Sequence, residues 1–365
     1  MGNGSTLSLA APANLRHTTD PFHHDEPRVS RSILFALRSL GLGGAERVAA
    51  DIVMGLVTAG HRVRVLEFAD TPGPAAAWFS SASEIIQVGR QTSPDALAES
   101  RAAADIDTLV LCGPSPAYRA LPVLKRRNPA LRIVGFMFNA RQLVDEHRAN
   151  AAYLDGVIAE SAEAAAALGP SGPPVRVASS GVDISAIFAR KILARVADPL
   201  VVGYVGRFDR TKNPRGFLDI ARRLRGQGFR FTMAGPGPRW FRPPRDVSFA
   251  GPLFGEDKER FLDGLDILVV PSRHDGRPLI IHEAQARGQV VVASSVGAIP
   301  ELITDGENGL LCGPGDVAGF AAAIARLAAD TDLRHRLGEA ARERVRHQGD
   351  IGVSLPLYLD AIIGD

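Results

Sequence analysis

The sequence predicts an α/β fold of two doubly wound parallel-sheet domains facing a central cleft, and three observations lead there. Short apolar runs bounded by turn residues alternate with helix-like stretches, as in ILFAL, GGAERVAADIVMGLVTAG and RVRVLEF, then IDTLVLCG, RIVGFMF and GVIAE. A second series of the same kind begins at Leu200 with VVGYVG, RFTMAG, VSFAG, DILVVP and VVVAS. Between the two series lies a stretch rich in Gly, Pro and Ser, as expected of a connection between domains.

Taken in order, residues 1–30 mix Pro, His, Thr and Asp without periodicity and read as a disordered tail, in which His17, His23 and His24 are solvated rather than metal ligands. Residues 31–180 form the first Rossmann-like domain, which ends after a short strand at Val175–Val177. Residues 181–198 are the linker and 199–345 the second Rossmann-like domain. Residues 346–365 carry an apolar face at helical spacing and dock on a domain, with return to the first one the expected route.

Bulk composition narrows the function. The 365 residues are 45% hydrophobic and 22% charged, enough for two packed cores. A net charge of +2, with no basic stripe carrying interleaved aromatics, argues against nucleic acid as a partner. No apolar run approaches the roughly 20 residues that cross a bilayer. The N-terminus lacks a positive start and a sustained apolar region, and Cys112 and Cys312 read as reduced core thiols, so a cytoplasmic protein is expected. The basic cluster Lys125, Arg126 and Arg127 beside Leu121 and Leu124 leaves peripheral membrane contact at the inner face open, against the plainer reading of a solvated helix end.

Open parallel sheets bind ligands outside the carboxyl ends of their strands, so both domains turn their sites to the cleft. The richest stretch is VVPSRHDGRPLIIHEAQARGQVVVASSVGAIPELITDGENGLL. A buried strand ends at Pro271, a polar loop follows, and a helix begins near Pro278. Gly276 lets the loop backbone approach a ligand, and the unpaired amides of a helix N-terminus suit phosphate. Asp275 lies before the helix and Glu283 within it, placed to accept hydrogen bonds from sugar hydroxyls. The stretch GYVGRFDRTKNPRGFLDIA adds Gly206, Arg207 and Lys212 at the carboxyl end of the second domain's first strand. Two cations there neutralise a diphosphate leaving group without a divalent ion, so neither metal nor cofactor is expected.

These two stretches resemble the donor-binding half of the retaining glycosyltransferases of family four, which have the GT-B fold. That family reads G-R-x-x-x-x-K, then P-S-x-x-E-G-x-P-x-x-x-x-E-A-x-A-x-G, then G-x-x-E. Here Gly206, Arg207, Lys212, Pro271, Ser272, Gly276, Pro278, Glu283, Ala284, Ala286, Gly288, Gly297 and Glu301 follow in that order. GGAERV from Gly43 to Val48 and SSGVD from Ser179 to Asp183 also match, so the resemblance runs from about Ile33 to at least Leu311.

The resemblance implies that Arg207 and Lys212 bind the donor diphosphate, that Glu283 holds the ribose hydroxyls and that Asp275 contacts the transferred sugar. The backbone of Gly276, Arg277, Pro278 and Leu279 would seat sugar and phosphate. The segment with Gly251, Leu253 and Phe254 would border the base, and Gly43 and Gly44 would lie near the phosphates and the acceptor. It further implies a retaining transfer from a nucleotide-diphosphate sugar, UDP-linked first and GDP-mannose second. The acceptor class, whether carbohydrate, lipid-linked or small molecule, is not encoded in any motif. A nucleotide-sugar-binding partner subunit with little or no catalysis is the alternative.

Two departures carry weight. The family usually has Glu where this chain has Asp275, one methylene shorter. It commonly has His at the end of the first-domain strand FMFNA, where Phe138 stands with Asn139 beside it on the sugar side. Arg277 replaces a commonly apolar residue and is expected to meet an acid. Bland readings hold for the rest. Asp105 and Asp107 form a structural D-x-D at a strand's amino end, Glu46 a first-turn acid, and His274 a loop residue. Gly235-Pro236-Gly237 makes a turn, while Glu301 divides evenly between loop structure and site.

Overall fold

The computed structural model describes residues 30–80, 83–113, 116–189, 199–238 and 243–364, with backbone alone at 186 and 189. The tail histidines and the linker residues 190–198 lie outside the described residues. The first lobe is a seven-stranded sheet in the order β3-β2-β1-β4-β5-β6-β7. Its strands are β1 (Ser32–Leu37), β2 (Arg62–Phe68), β3 (Glu84–Val88), β4 (Thr108–Cys112), β5 (Arg132–Met137), β6 (Gly156–Ala159) and β7 (Val175–Val177). The second lobe is a six-stranded sheet ordered β10-β9-β8-β11-β12-β13. It comprises β8 (Leu200–Val205), β9 (Phe229–Ala234), β10 (Val247–Phe249), β11 (Ile267–Val270), β12 (Val290–Ser294) and β13 (Leu310–Cys312).

Every pairing in both sheets is parallel. The sequence accounts for this, because the central strands are continuous apolar runs rather than alternating ones. β1, β4, β11 and β12 are buried along their whole length, as strands covered by helices on both faces must be. Each sheet accordingly separates two apolar cores. The strand order reverses between β1 and β4 in one lobe and between β8 and β11 in the other. Loops at those points diverge and leave a crevice, so the residues following β1, β8 and β11 are the ones that topology delivers to a ligand.

The chain crosses between lobes twice, and the crossings are bonded together. Val182 N–H donates to Gly349 O at 2.8 Å, and Ile351 N–H donates to Val182 O at 3.0 Å. A Cβ on Gly181 would stand 2.6 Å from the Asp350 carbonyl carbon, so only glycine permits this approach. The second crossing lies later than the boundary at 345/346, because the helix Thr331–Gln348 continues unbroken until Gly349. The helix Ile351–Ile363 then packs Tyr358, Leu359, Ala361 and Ile362 into the first-lobe core against β4, β6 and the helix Gly44–Thr58. The linker also holds structure. The helix Ser185–Ala189 follows Ile184, which with Ile187 packs against Ala286 and Val345 of the second lobe. Among the described residues, no helix is long and apolar enough to cross a membrane.

Candidate functional site

The loop after β8 is shaped by its own side chains. Asp209 Oδ1 accepts from Lys212 N–H at 2.9 Å, and Oδ2 accepts from Arg207 Nε at 2.9 Å. Asn213 takes a left-handed conformation (φ 54°, ψ 54°) and caps the helix Pro214–Arg223 through Gly216 N–H. That same side chain donates to Pro271 O at 3.0 Å, and Arg273 N–H donates to Thr211 O at 2.8 Å. The loops after β8 and β11 are therefore one bonded unit. Gly206 lies at its base, where a Cβ on neighbouring Gly235 would come within 1.9 Å of Gly206 O.

Across this unit Lys212 meets Asp275. Lys212 Nζ lies 2.7 Å from Oδ1 and 2.6 Å from Oδ2, and Ser272 Oγ donates to Oδ2 at 3.0 Å. Asp275 is 7% exposed. Gly297, at φ 56°, closes over it so tightly that a Cβ would fall 1.6 Å from Asp275 O. Gly276 packs against the other lobe, its missing Cβ 2.1 Å from Phe138 O. Beyond it, Pro278 is the N-cap of the helix Leu279–Ala286, which therefore starts one position later than the sequence suggests, and has no N–H to offer. The amides of Gly276, Arg277 and Leu279 have no acceptor among the described residues, which leaves them for an anion.

Glu283, one turn into that helix, accepts from Lys258 Nζ at 2.6 Å through Oε1, while its buried Oε2 has no partner. Lys258 belongs to the helix Gly255–Asp263, whose N-cap is Phe254, half exposed. Gly251 (φ 76°) and partly buried Leu253 lead into it, and Gly251 O accepts from Gly235 N–H at 2.8 Å. The segment expected at a nucleobase is thus tied both to Glu283 and to the loop that carries Arg207.

The first lobe contributes differently from expectation. Glu46 does more than favour a helix dipole. Its Oε2 lies 2.5 Å from where a Cβ on Gly43 would be, and Arg207 Nη1 of the other lobe lies 3.7 Å from the same point. Burial raises the Glu46 pKa, and the charge of Arg207 partly offsets that. Gly43 is the extended N-cap and Gly44 the first residue of the helix Gly44–Thr58; Arg207 approaches Gly43, whereas a Cβ on Gly44 would meet nothing within 4 Å. Phe138 stacks on Phe136 with ring centroids 4.6 Å apart, and Phe136 stacks on Tyr358. Asn139 is turned to its own loop, its Oδ1 accepting from Arg141 and Gln142 N–H groups.

Arg277 does meet acids. Its side chain is 6% exposed, donates from Nε to Ser180 O at 3.2 Å, and lies 3.7 Å from Glu301. Its field also reaches Glu160, a fully buried carboxylate at the end of β6 whose pKa burial raises. Glu160 accepts from Ser180 N–H at 3.0 Å and from Tyr358 Oη at 2.5 Å. Glu301 is structural as well, accepting from Glu163 N–H at the start of the helix Ala162–Leu168. Glu160 and Tyr358 escaped the sequence reading; the one signal was an acid immediately after an apolar strand in a parallel sheet.

The bland readings hold elsewhere. Asp107 accepts from Ser32 N–H at 2.7 Å and Asp105 is a left-handed residue, both at the amino end of β4. Pro236 O accepts from Phe208 N–H in the strand-ending turn. Burial and the nearby charge of Arg141 lower the pKa of His274. Lys125 pairs with Asp155 and Arg127 with Glu99.

Two Rossmann-like parallel-sheet lobes, with unpaired loop amides, cations and buried acids at the second switch point, have the GT-B architecture. Residues 199–330, within the second lobe, match the family described as glycosyl transferases group 1. The chain is 31% identical over 195 residues to the glycogen synthase of Mycobacterium tuberculosis, covering 50% of this chain and 46% of that protein. It is 32% identical over 198 residues to a D-inositol 3-phosphate glycosyltransferase of Saccharomonospora viridis, covering 47% and 46%. The chain spans about half the length of the curated relatives it matches. Its fold matches that of HepE from Anabaena, solved with UDP and glucose, at a TM-score of 0.75 and 19% identity over 92% of this chain and all of that one.

Proposed function

We propose that this chain is a retaining, metal-independent glycosyltransferase, moving a sugar from a nucleoside diphosphate to a carbohydrate, lipid-linked or small-molecule acceptor. UDP-sugars are the first choice of donor and GDP-mannose the second. One observation carries the reading: Lys212, Asp275, Arg207 and the free amides beside Gly276 converge on one bonded loop pair at the switch point of a group 1 domain. Preorganised cations and amides stabilise the charge that develops on a departing diphosphate. The bond between the sugar and the phosphate oxygen breaks as the acceptor oxygen bonds to the same carbon and face. The acceptor proton passes to an oxygen of the leaving phosphate, so no side chain need act as nucleophile.

The test is a thermal-shift panel of nucleotide sugars followed by nucleoside diphosphate release. A donor at 100 times its dissociation constant stabilises by about 2.7 kcal/mol. Lys212→Ala and Glu283→Ala should each lose most of that shift; unchanged shifts in both place the donor elsewhere. Tight binding without turnover, with acceptors present, favours the binding-subunit alternative, for which the shortened Asp275 speaks.

A further inference from the structure

Under the reading just proposed, Lys212 serves the diphosphate end of the donor and Asp275 the sugar end. In the free protein these two groups serve each other. Both Asp275 oxygens face Lys212 Nζ, at 2.7 and 2.6 Å, and one also takes the Ser272 hydroxyl at 3.0 Å. The carboxylate has nowhere else to go. It is 7% exposed, its side chain has only two torsions, and its backbone is pinned between the close approaches of Gly297 to Asp275 O and Gly276 to Phe138 O. Among the described residues Lys212 is the cation paired with Asp275, and burial and the Arg141 charge lower the pKa of the adjacent His274.

We propose that the Lys212–Asp275 pair reads whether the donor is intact, which makes Asp275 a specificity-determining residue that rejects the spent nucleotide. A complete nucleotide sugar replaces both halves of the pair together: phosphate oxygens take the ammonium, and sugar hydroxyls donate to the carboxylate. A bare nucleoside diphosphate takes Lys212 and leaves a buried carboxylate with the Ser272 hydroxyl alone. An uncompensated buried charge is costly, so that complex is disfavoured. The same asymmetry acts after transfer. Once the sugar has left, Lys212 returns to Asp275 and the diphosphate is released. The shorter acid strengthens the effect, because Asp cannot bend away from the lysine to find water.

Isothermal titration of UDP and UDP-glucose, with GDP and GDP-mannose as the second matched pair, tests this on the full chain and on Asp275→Asn. The wild-type protein should prefer the intact donor over its own diphosphate by about tenfold or more. Asp275→Asn removes the charge that recaptures Lys212. It should therefore bind the bare diphosphate about fivefold more tightly than wild type and the intact donor at least about fivefold more weakly. A residue with a merely structural role would weaken both ligands. Equal wild-type affinities overturn the proposal without any variant, and so do changes of the same sign in Asp275→Asn. If no diphosphate or nucleotide sugar binds the wild type, the functional reading itself falls, which is a separate result.

Discussion

Replacing Arg277 by Leu should expose how the donor loop is held to the first lobe. The variant loses a charge-assisted hydrogen bond to Ser180 O, a loss of about 1.5–3 kcal/mol. The ion pair with Glu301, at 3.7 Å and a third exposed on the acid side, adds at most about 0.5–1 kcal/mol. Glu160 keeps its bonds from Ser180 and Tyr358 but loses the cation whose field favours its ionised form. A net loss of about 2–4 kcal/mol in unfolding free energy follows, after the added apolar contact of Leu is allowed for.

The partner variant is Glu160→Gln. Its amide oxygen still accepts from Ser180 N–H, and Tyr358 Oη turns from donor to acceptor for the amide nitrogen, so the cost alone is about 1 kcal/mol. In the double variant no buried charge remains to be compensated. Urea midpoints with a common slope should show the pair less damaging than its parts added, by at least about 1 kcal/mol. Additivity within about 0.5 kcal/mol refutes the coupling. A pH series gives a second check. Burial raises the folded-state pKa of Glu160 above its ordinary value of 4.5, so the folded state holds the proton longer. Stability from this group is full below that value and is lost as pH climbs through the folded pKa. Without Arg277 that pKa rises further. The deficit of Arg277→Leu should therefore widen as pH rises, and Glu160→Gln should abolish the widening.

Lys258→Met should free Glu283 Oε1 and shrink the preference for ribose over 2′-deoxyribose nucleotides, by about threefold, the worth of one modest hydrogen bond; an unchanged preference in titrations refutes its role. Gly297→Ala forces a left-handed alanine, costing about 1–2 kcal/mol, and its Cβ displaces the Asp275 carbonyl. Unfolding midpoint and donor affinity should fall together, and full donor affinity would show the loop adapts. His147 and His282 are buried neutral, their pKa values lowered mainly by burial to about 4 and about 3. Both folded values lie below the unfolded 6.5, so the stability they give is present above pH 6.5 and is lost as pH falls through the folded values. His147→Gln should flatten that acid loss by about 3 kcal/mol, and an unaltered acid limb would exclude His147 as its source.

Local pattern accounts for what the sequence revealed. β1, β4, β11 and β12 are apolar throughout, because helices cover both faces of a parallel sheet, and their turn residues bracket them. Gly206, Arg207, Lys212 and Asp275 stand out because each lies a few residues beyond an apolar strand, on a loop whose destination the topology decides, and Glu283 because it sits in the helix that such a loop leads into. What escaped was pairing across long separations. Nothing in SLPLYLDAIIGD says that Tyr358 will meet Glu160 198 positions earlier, since helical spacing specifies a face and not its partner. Lys258 likewise reads as one charge among several on an exposed helix until the fold sets it against Glu283. The second lobe's end was misjudged for a similar reason, as nothing local marks the crossing before Gly349.

The donor loop is also the strip along which the lobes touch. Gly276 abuts the Phe138 carbonyl and Arg277 reaches the Ser180 carbonyl beside the paired crossings, while Glu301, which also lies near Arg277, caps a first-lobe helix through Glu163. The free amides of Gly276, Arg277 and Leu279 lie inside this strip. A rotation of the first lobe would strain those contacts and with them the backbone that carries these amides. Arg277, buried where such loops commonly carry an apolar side chain, adds a directional bond that an apolar contact lacks.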